Sequence, residues 1–382
     1  MQDKRLLIIG ASARAACFSA SRAGFEPYWI DQFGDCDLSN AFDGNRVASE
    51  DYPAGIINCV QESPDAPWLY TGAMENHLNV LEQVVQMRPL LGNDRAVCVQ
   101  VRDPVRLAAC VSRAGIASPE IFTHADVQAA QQRCLIKPVH GAGGMGISVF
   151  NDAQQIPAHH YLQEFIEGQS VSAVFIGNAA KACLLGVTRQ LIGESDFNAA
   201  AFNYCGSIGP LALSSTATHQ WSTLGNALVK EFGLRGLFGV DAIKQQDVIF
   251  PVEVNPRYTA SVEVIELATG LPVIAMHCQA CAGLLPVIED KPVQKLIGKA
   301  YLFAPHDLQI TDIPASLNAD VGDGLPCIAD IPETGAIIYQ GKPVMTLLVE
   351  AADEEKCRAM LKHAVSQLMQ TGWLVCCSRL SS

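Results

Sequence analysis

The sequence predicts an α/β protein in which a parallel-sheet domain precedes a central α+β module and a small β-rich C-terminal domain. Three observations support this fold class. The first region alternates apolar strands with helices, the central region contains two strands joined by a glycine-rich loop, and the last region has short strands followed by one long helix. We place the predicted domains at residues 1–98, 99–285 and 286–382.

The bulk composition limits the classes of function. The chain has 382 residues, of which 49% are apolar and 17% are charged, which is typical of packed domains with substantial cores. A formal net charge of -13 disfavours nucleic acid and anionic membranes as partners. Because no apolar stretch is long enough to span a bilayer and the N-terminus does not resemble a signal peptide, we expect a cytoplasmic protein. A homodimer is compatible with this composition.

The N-terminal region begins with a βαβ pattern. "RLLIIG" is a strand, "ASARAACFSASRAG" a helix and "EPYWID" a second strand, which predicts a parallel sheet. Gly10 stands alone where a dinucleotide fingerprint has three glycines, so we interpret the turn as part of a scaffold. Further on, Glu75 and Asn76 in "YTGAMENH" fit two roles equally well: capping of the following helix, or a contact at a domain interface or cleft.

The fourteen cysteines are mostly scattered singly among apolar residues. Cys278 and Cys281 form a C-x-x-C pair without a second pair at zinc spacing, so we expect core packing rather than metal or redox chemistry.

A glycine-rich hairpin is the first feature with chemical content. In "CLIKPVHGAGGMGISVF" one strand ends at Lys137 and Pro138, and a second strand follows the loop. Walker and Rossmann loops lead into a helix instead, so this pattern predicts a flap whose backbone N–H groups approach phosphate oxygens beside the lysine. A flexible surface hairpin is the less favoured alternative, because four glycines fall within six residues: Gly141, Gly143, Gly144 and Gly146.

A row of polar side chains marks a second strand pair. Glu253, Asn255 and Arg257 alternate along "PVEVNPRY", so they point to one face of a sheet. An antiparallel neighbour would place Asp241 near Glu253. Hard oxygen ligands on neighbouring strands suit Mg²⁺, and the arginine would face a transferring phosphoryl group. An exposed ion pair explains the row alone equally well, but the upstream flap favours the nucleotide interpretation.

These motifs, in this order, resemble the ATP-grasp superfamily of carboxylate–amine and carboxylate–thiol ligases. The resemblance rests on Lys137, "GAGGMG", "QEFIEG", Asp241 and the E-x-N-x-R row, and it covers residues 99–285. The C-terminal segments "KAYLFAPHDL" and "ADIPETGAIIYQGKPVMTLLVEAADEEKC" are similar to biotin-carboxylase-like members. The resemblance implies an ATP-grasp fold, ATP as the nucleotide and Mg²⁺ as the metal, with Mn²⁺ as a substitute.

The resemblance also implies a role for each matching position. Lys137 and the loop glycines would contact the ATP phosphates, and the backbone at Glu164, Phe165 and Ile166 would contact adenine. The metal ligands would be Asp241, Glu253 and Asn255, and Arg257 would be the catalytic residue that stabilises the γ-phosphate.

Two positions depart from the family pattern. Ser170 stands where many members have an acid for the ribose hydroxyls, with Glu167 nearby as a substitute. The usual first nucleotide-binding lysine falls near Pro104, which Arg102 and Arg106 flank, and arginine is not equivalent to lysine.

The acceptor pocket is predicted within residues 187–211. Arg189 would bind a carboxylate bidentately, while Asn203, Tyr204 and Gly206 would shape a polar pocket. A surface loop without such a role is equally compatible with each residue taken singly.

The function implied is an ATP-dependent ligase that forms an acylphosphate on a small-molecule carboxylate and couples it to an amine. The carboxylate would be an amino acid such as glutamate, and the product a metabolite or cofactor precursor. Two alternatives remain: an enzyme that activates bicarbonate, and a non-catalytic ATP-binding sensor. Retention of the whole polar row argues against the sensor.

Overall fold

The computed structural model describes residues 4–122, 133–151, 156–288, 294–311, 320–322, 325–370 and 374–376. The helices are α1 Arg14–Arg22, α2 Cys36–Ser39, α3 Ile56–Glu62, α4 Leu78–Met87, α5 Arg95–Val101, α6 Pro104–Arg113, α7 Ser215–Phe232, α8 Ala260–Thr269, α9 Val273–Cys281 and α10 Glu354–Gln370. Short 3-10 helices occupy Met74–Asn76 and Ser195–Phe197.

The strands of the first half are β1 Arg5–Gly10, β2 Glu26–Asp31, β3 Gly44–Arg46, β4 Trp68–Tyr70, β5 Ile121–Phe122, β6 Cys134–Pro138, β7 Ser148–Val149, β8 His160–Glu164, β9 Gln169–Asn178, β10 Ala182–Ile192 and β11 Tyr204–Gly209. The second half contributes β12 Arg235–Gln245, β13 Val248–Asn255, β14 Leu296–Phe303, β15 Leu308–Ile310, β16 Asp320–Gly322, β17 Leu325–Pro326, β18 Ile328–Ala329, β19 Ile337–Ile338, β20 Pro343–Ala351 and β21 Leu374–Cys376.

The N-terminal region forms a parallel sheet in the order β3-β2-β1-β4, as the βαβ pattern predicts. Leu6, Leu7, Ile8 and Ile9 of β1 are all fully buried, because a central parallel strand is covered on both faces. Gly10 ends this strand at a close approach, since a Cβ there would lie 2.0 Å from Thr71 Oγ1. The turn into α1 therefore packs directly against the segment that follows β4.

The centre of the molecule is an eight-stranded sheet in the order β13-β12-β9-β10-β11-β14-β20-β18, and its pairs are antiparallel. Alternate residues of β9 pack on opposite faces. Phe175 contacts the core beneath α7, where it stacks on Phe238 with ring centroids 5.1 Å apart. Val174 and Ile176 contact the core formed with α8, α9 and α1.

This sheet continues through the predicted boundary at residue 286. β11 pairs with β14, and β14 pairs with β20, so strands from the predicted second and third domains share one ladder. Leu6 and Ile8 of the parallel sheet also join the core cluster that contains β9. The division into three domains stays a prediction. Separating the regions would break the shared strand ladder and the shared core cluster.

The glycine-rich segment has the predicted hairpin form. β6 and β7 are antiparallel neighbours in a sheet of order β5-β8-β6-β7, and residues 139–147 connect them. Two further small sheets have the orders β19-β15-β21 and β16-β17.

None of the twelve cysteines whose side chains the structure describes is in a disulfide. Cys17, Cys98, Cys110, Cys134, Cys205 and Cys357 are buried, and Cys278 and Cys281 are half-buried in α9. Within the described ranges, no group of three or more His, Cys, Asp or Glu side chains is arranged to hold a metal ion.

In the part of the chain that the structure describes, no single helix is long and apolar enough to cross a membrane; α8 and α9, bent by 116° at their junction, pass that test only as a pair and only by length and composition.

Candidate active site

A cavity of about 580 Å³ collects side chains from all three regions of the chain. The flap contributes Gly143 and Gly144, and the large sheet contributes Asp241 and Glu253. The turn after β1 contributes Ser12. A smaller cavity of about 40 Å³ adjoins it and shares Lys137 and Glu253 in its wall.

The polar row lies in the wall of the large cavity, with the cross-strand pairing that the sequence predicts. Asp241 and Glu253 are direct register partners of β12 and β13. Asp241 accepts hydrogen bonds from Gln190 Nε2 at 3.0 Å and from Asn255 Nδ2 at 3.1 Å. The row is therefore a connected network rather than an exposed ion pair.

Burial and the neighbouring charge of Glu253 raise the pKa of Asp241 to about 6. A divalent cation between the two carboxylates would offset this repulsion. Two carboxylates and an amide are the hard oxygen donors that Mg²⁺ prefers, so the residues present fit that metal, and Mn²⁺ accepts the same donors. Asn255 Oδ1 accepts from Arg257 Nη2 at 3.2 Å, which leaves its second lone pair as a donor that a cation could use.

Arg257 is fixed by a partner from the N-terminal region. Its Nε donates to Glu75 Oε1 at 2.7 Å, and the Glu75 side chain is only 1% exposed. Glu75 is not the N-cap residue of either nearby helix. The N-cap residue of α4 is His77 and that of the preceding 3-10 helix is Ala73. Of the two roles that the sequence left open for Glu75, the structure shows the interface contact.

Lys137 lies buried in the cavity wall at the end of β6. Its Nζ donates to Gln163 Oε1 at 3.1 Å. The structure therefore presents this ammonium group on the same side as the polar row, where both line the large cavity.

The flap loop rests on the segment before β11. Tyr204 N donates to Gly143 O at 2.9 Å, and a Cβ at Gly144 would lie 1.9 Å from Phe202 O. Gly141 lines the smaller cavity, whereas Gly146, with φ of 80°, lines neither. Gly144 is thus required by a close contact as well as by its positive φ of 77°.

Arg102 connects the flap to the N-terminal region. Its Nη2 donates to Gly141 O at 3.1 Å and its Nη1 to Asn76 Oδ1 at 2.7 Å. Arg106, by contrast, bonds Gln100 at 3.1 Å on the exposed surface. Of the two arginines that flank Pro104, only Arg102 reaches the flap.

The connector between β8 and β9 supplies another part of the wall. Glu164, Phe165 and Ile166 line the large cavity. Within the described residues the Ile166 N–H has no protein acceptor, which leaves it free for the edge of a base. Glu167 is exposed and lies outside the cavity, whereas Ser170 lines it.

The predicted acceptor residues are only partly brought together. Tyr204 lines the cavity, and its hydroxyl is 2.8 Å from Ser207 Oγ. Arg189 does not, because it points to the opposite face of β10 from Gln190, which does. Asn203 is also outside the cavity wall. Glycine is required at position 206 by packing, because a Cβ there would lie 2.1 Å from Lys299 O on β14.

Several cavity residues were missed by the sequence analysis. They include Ser12, Gln190, Thr259, Lys299, Tyr301 and Asp330. Lys299, Tyr301 and Asp330 stand in the C-terminal segments that the resemblance covers, and Gln190 stands in the predicted acceptor segment, but the sequence analysis singled out none of these side chains. The order of the segments marks these regions, but which of their side chains face the cavity depends on the pairing of distant strands.

Comparisons with known proteins agree with this geometry. Residues 101–261 match the family model of the ATP-grasp domain. An uncharacterized protein of Methanocaldococcus jannaschii is 24% identical over 57% of this chain, which spans 51% of the length of that relative. A formate-dependent phosphoribosylglycinamide formyltransferase of Edwardsiella ictaluri is 24% identical over 73% of this chain and 76% of its own.

Solved structures share the fold over nearly the whole chain. A biotin carboxylase from Campylobacter jejuni superposes with a TM-score of 0.71 at 14% identity, covering 97% of this chain and 91% of its own. An L-amino acid ligase from Bacillus licheniformis gives a TM-score of 0.70 at 14% identity and covers 98% of both chains. The predicted likeness of the C-terminal region to biotin carboxylases is confirmed at the level of the fold. The chain therefore contains an ATP-grasp domain, at residues 101–261, within a fold of the ATP-grasp superfamily.

Proposed function

We propose that the protein is an ATP-dependent ligase that activates a substrate carboxylate and couples it to an amine. The observation that carries this proposal is one cavity whose wall joins the flap, the β8–β9 connector, the acidic strand pair and Arg257. These are the parts that phosphoryl transfer needs, since it depends on positioning and charge stabilisation rather than on a protein nucleophile.

In this proposal the nucleotide lies between the flap and the large sheet. The Ile166 N–H binds the base, Ser170 lies near the ribose, and Lys137 with the N–H groups of the flap binds the phosphates. Arg102 holds the flap through Gly141 rather than contacting phosphate itself, because its donors already reach Gly141 and Asn76. Glu167 has no part in the site, because it is exposed outside the cavity.

The chemistry proposed for the polar row follows from its charges. Mg²⁺ bound by Asp241, Glu253 and Asn255 would neutralise charge on the β- and γ-phosphates. Arg257 stabilises the charge that develops as a carboxylate oxygen attacks the γ-phosphorus and ADP leaves. An amine nitrogen then displaces phosphate from the acylphosphate, and Glu75 keeps the guanidinium of Arg257 in place throughout.

Two similar proteins support this reaction class. One is named as formate-dependent, and formate is a carboxylate; the other is named as an L-amino acid ligase. We extend the proposal to an amino acid, such as glutamate, joined to a small metabolite or cofactor precursor by a cytoplasmic enzyme that forms a homodimer.

The test is a phosphate-release assay with ATP and Mg²⁺ against pooled carboxylates, with and without pooled amines. We expect release to require both pools, and Glu253→Gln to reduce it by about 100-fold or more, as loss of a metal ligand does. Glu355→Gln, an exposed substitution on α10, is the matched control and is expected to leave the rate unchanged.

Other outcomes would contradict the amide-forming reaction. Release with bicarbonate alone would favour a carboxylase-type enzyme, the second candidate, which the fold shared with biotin carboxylase supports. Tight ATP binding without turnover across all pools would favour a nucleotide sensor.

A further inference from the structure

A single short turn of the N-terminal region contacts both the flap and the polar row. This turn is the 3-10 helix Met74–Asn76, which follows β4. Its Glu75 is buried, and the adjacent Asn76 is half-buried. Two neighbouring side chains therefore lie between the two parts of the site that the proposed reaction needs. We call Met74–Asn76 the linking turn.

Arg102 joins the linking turn to the flap through both ends of its guanidinium group. Nη1 donates to Glu75 O at 3.0 Å and to Asn76 Oδ1 at 2.7 Å. Nη2 donates to Gly141 O at 3.1 Å, and Asn76 Nδ2 donates to the same oxygen at 3.4 Å. The planar fork of an arginine directs two nitrogens at separate acceptors, whereas the ammonium group of a lysine is a compact point charge. One carbonyl oxygen of the flap is therefore bound to the turn by two side chains.

The other side of the linking turn holds the arginine of the polar row. Arg257 Nε donates to Glu75 Oε1 at 2.7 Å, and its Nη2 donates to Asn255 Oδ1 at 3.2 Å. A Cβ at Gly72, just before the turn, would lie 3.9 Å from the guanidinium carbon of Arg257, so the backbone of this segment lies directly beside that group. The position of the turn therefore sets the position of the guanidinium group.

These contacts form one continuous path of hydrogen bonds from the flap to the acidic strand pair. In order, its members are Gly141, Arg102, Glu75, Arg257, Asn255 and Asp241. The flap also has a separate contact with the large sheet, where Tyr204 N donates to Gly143 O at 2.9 Å. A hydrogen-bond network couples two sites when it joins elements whose arrangement both sites influence. The path through the turn meets that condition, because it ends at the flap on one side and at the polar row on the other.

We propose that Arg102 and Asn76 are positioning residues that couple closure of the flap over the nucleotide to the placement of Arg257. With the flap closed, Gly141 O holds Arg102 against the linking turn, and Glu75 then fixes the guanidinium group at the reacting phosphate. With the flap open, Arg102 loses this acceptor and the turn loses a restraint.

The consequence of this coupling is that phosphoryl transfer is assisted only after the nucleotide is covered, which keeps water away from the acylphosphate. The effect on catalysis rests on the proposed ligase function. The coupling between flap and turn rests only on the contacts and on nucleotide binding.

The test compares Arg102→Lys with Arg106→Lys, the same substitution at two nearby arginines. Lysine keeps the charge but does not reproduce the fork that spans Gly141 O and the linking turn. Arg106 makes its side-chain hydrogen bond on the exposed surface, so its variant is the matched control. Each protein is saturated with a non-hydrolysable ATP analogue and Mg²⁺. Hydrogen exchange, read by mass spectrometry, then reports the protection of the backbone amides in residues 71–77 and in the flap.

We expect the analogue to slow exchange at residues 71–77 by at least about 10-fold in the wild type and in Arg106→Lys, and to have little effect there in Arg102→Lys. Exchange in the flap is expected to slow in all three proteins, because the contact of Gly143 with the sheet remains. No slowing at residues 71–77 in the wild type, or equal slowing in Arg102→Lys, would overturn the proposal. Should Arg102→Lys fail to fold, Asn76→Ala removes the Oδ1 acceptor and is expected to lose the same protection.

The phosphate-release assay separates coupling from a simple loss of the flap contact. Coupling predicts that Arg102→Lys lowers kcat at saturating ATP by about 10-fold, besides raising the KM for ATP. A residue that only held the flap would change the KM and leave kcat as it is, so an unchanged kcat would overturn the catalytic role. If the wild type turns over no substrate pool, the ligase proposal fails, and the exchange measurement still decides the coupling.

Discussion

At the scale of single residues, buried charges in this protein hold partners from distant parts of the chain. Arg257 follows the end of β13 in the large sheet, but its 2.7 Å partner, Glu75, lies 182 positions away in the N-terminal region. Removing one member of a buried ion pair costs more than the pair contributes, because the other charge stays buried without a partner.

We therefore predict that Glu75→Gln lowers the free energy of unfolding by about 3 kcal/mol, as for other buried pairs broken on one side. Urea denaturation measures the change. Glu82→Gln is the matched control, since that carboxylate is 58% exposed and lies 3.7 Å from Arg95. Its expected effect is below about 1 kcal/mol. Equal effects of the two changes would contradict the structural role of the buried pair.

His277 gives a prediction about pH. Burial lowers the pKa of His277 to about 4, and the ring accepts from Leu237 N at 2.8 Å. Between about pH 6.5 and 4 the unfolded chain binds a proton that the folded chain excludes. The stabilisation is therefore complete above pH 6.5 and is lost as the pH falls to 4, by up to about 3 kcal/mol.

The measurement for His277 is the free energy of unfolding of the wild type minus that of His277→Gln at several pH values. Glutamine keeps a donor and an acceptor but does not titrate, so the difference isolates the histidine from other groups. A difference that does not change between pH 7 and 4 would refute the assignment.

At the scale of elements, the flap shows which glycines act through contact and which through backbone conformation alone. Gly143 and Gly144 both have positive φ, 61° and 77°. A Cβ at Gly143 would meet nothing within 4 Å, whereas one at Gly144 would lie 1.9 Å from Phe202 O. Substitutions at these two glycines therefore distinguish the effect of backbone strain from the effect of losing the contact between the flap and Phe202.

We predict that Gly144→Ala weakens ATP binding by about 10-fold or more, because the flap can no longer contact the segment before β11. Gly143→Ala introduces only backbone strain, so we expect it to weaken ATP binding by about 3-fold. Nucleotide titration of both variants gives the comparison. Similar affinities for the two variants would mean that the contact with Phe202 does not position the flap.

The hairpin, the strand pair and the alternation of Glu253 and Asn255 on β13 were predictable from the sequence, whereas Arg257 lines the same cavity from beyond the end of that strand. Each of these features depends on residues close together in the chain, where strand periodicity and glycine spacing can be recognised. The prediction for Arg189 failed for a related reason. Strand alternation places Arg189 and Gln190 on opposite faces of β10, but the sequence does not show which face lines the cavity.

At the scale of the whole molecule, the eight-stranded sheet joins regions that the sequence separates. β11 has β10 on one side and β14 on the other, so a chain ending at residue 285 would leave its second edge and the apolar face beneath it uncovered. An exposed, apolar strand edge promotes aggregation.

We predict that residues 1–285 alone do not form a stable, soluble protein, whereas the full chain unfolds as a unit. Solubility and thermal unfolding of the fragment against the intact protein provide the check. A fragment with its own cooperative transition would support residue 286 as a true domain boundary, and the shared ladder would then be an association between independent domains.

The sequence by itself determined the N-terminal parallel sheet, the flap, the acidic strand pair and the likeness to ATP-grasp proteins. All of these follow from local periodicity and from the order of the motifs. Only the tertiary structure decided that Glu75 holds Arg257, that Arg102 rather than Arg106 reaches the flap, and that Lys299 and Ser12 share one cavity wall. Those contacts depend on how distant segments pack, and burial in a common core, not spacing along the chain, selects them.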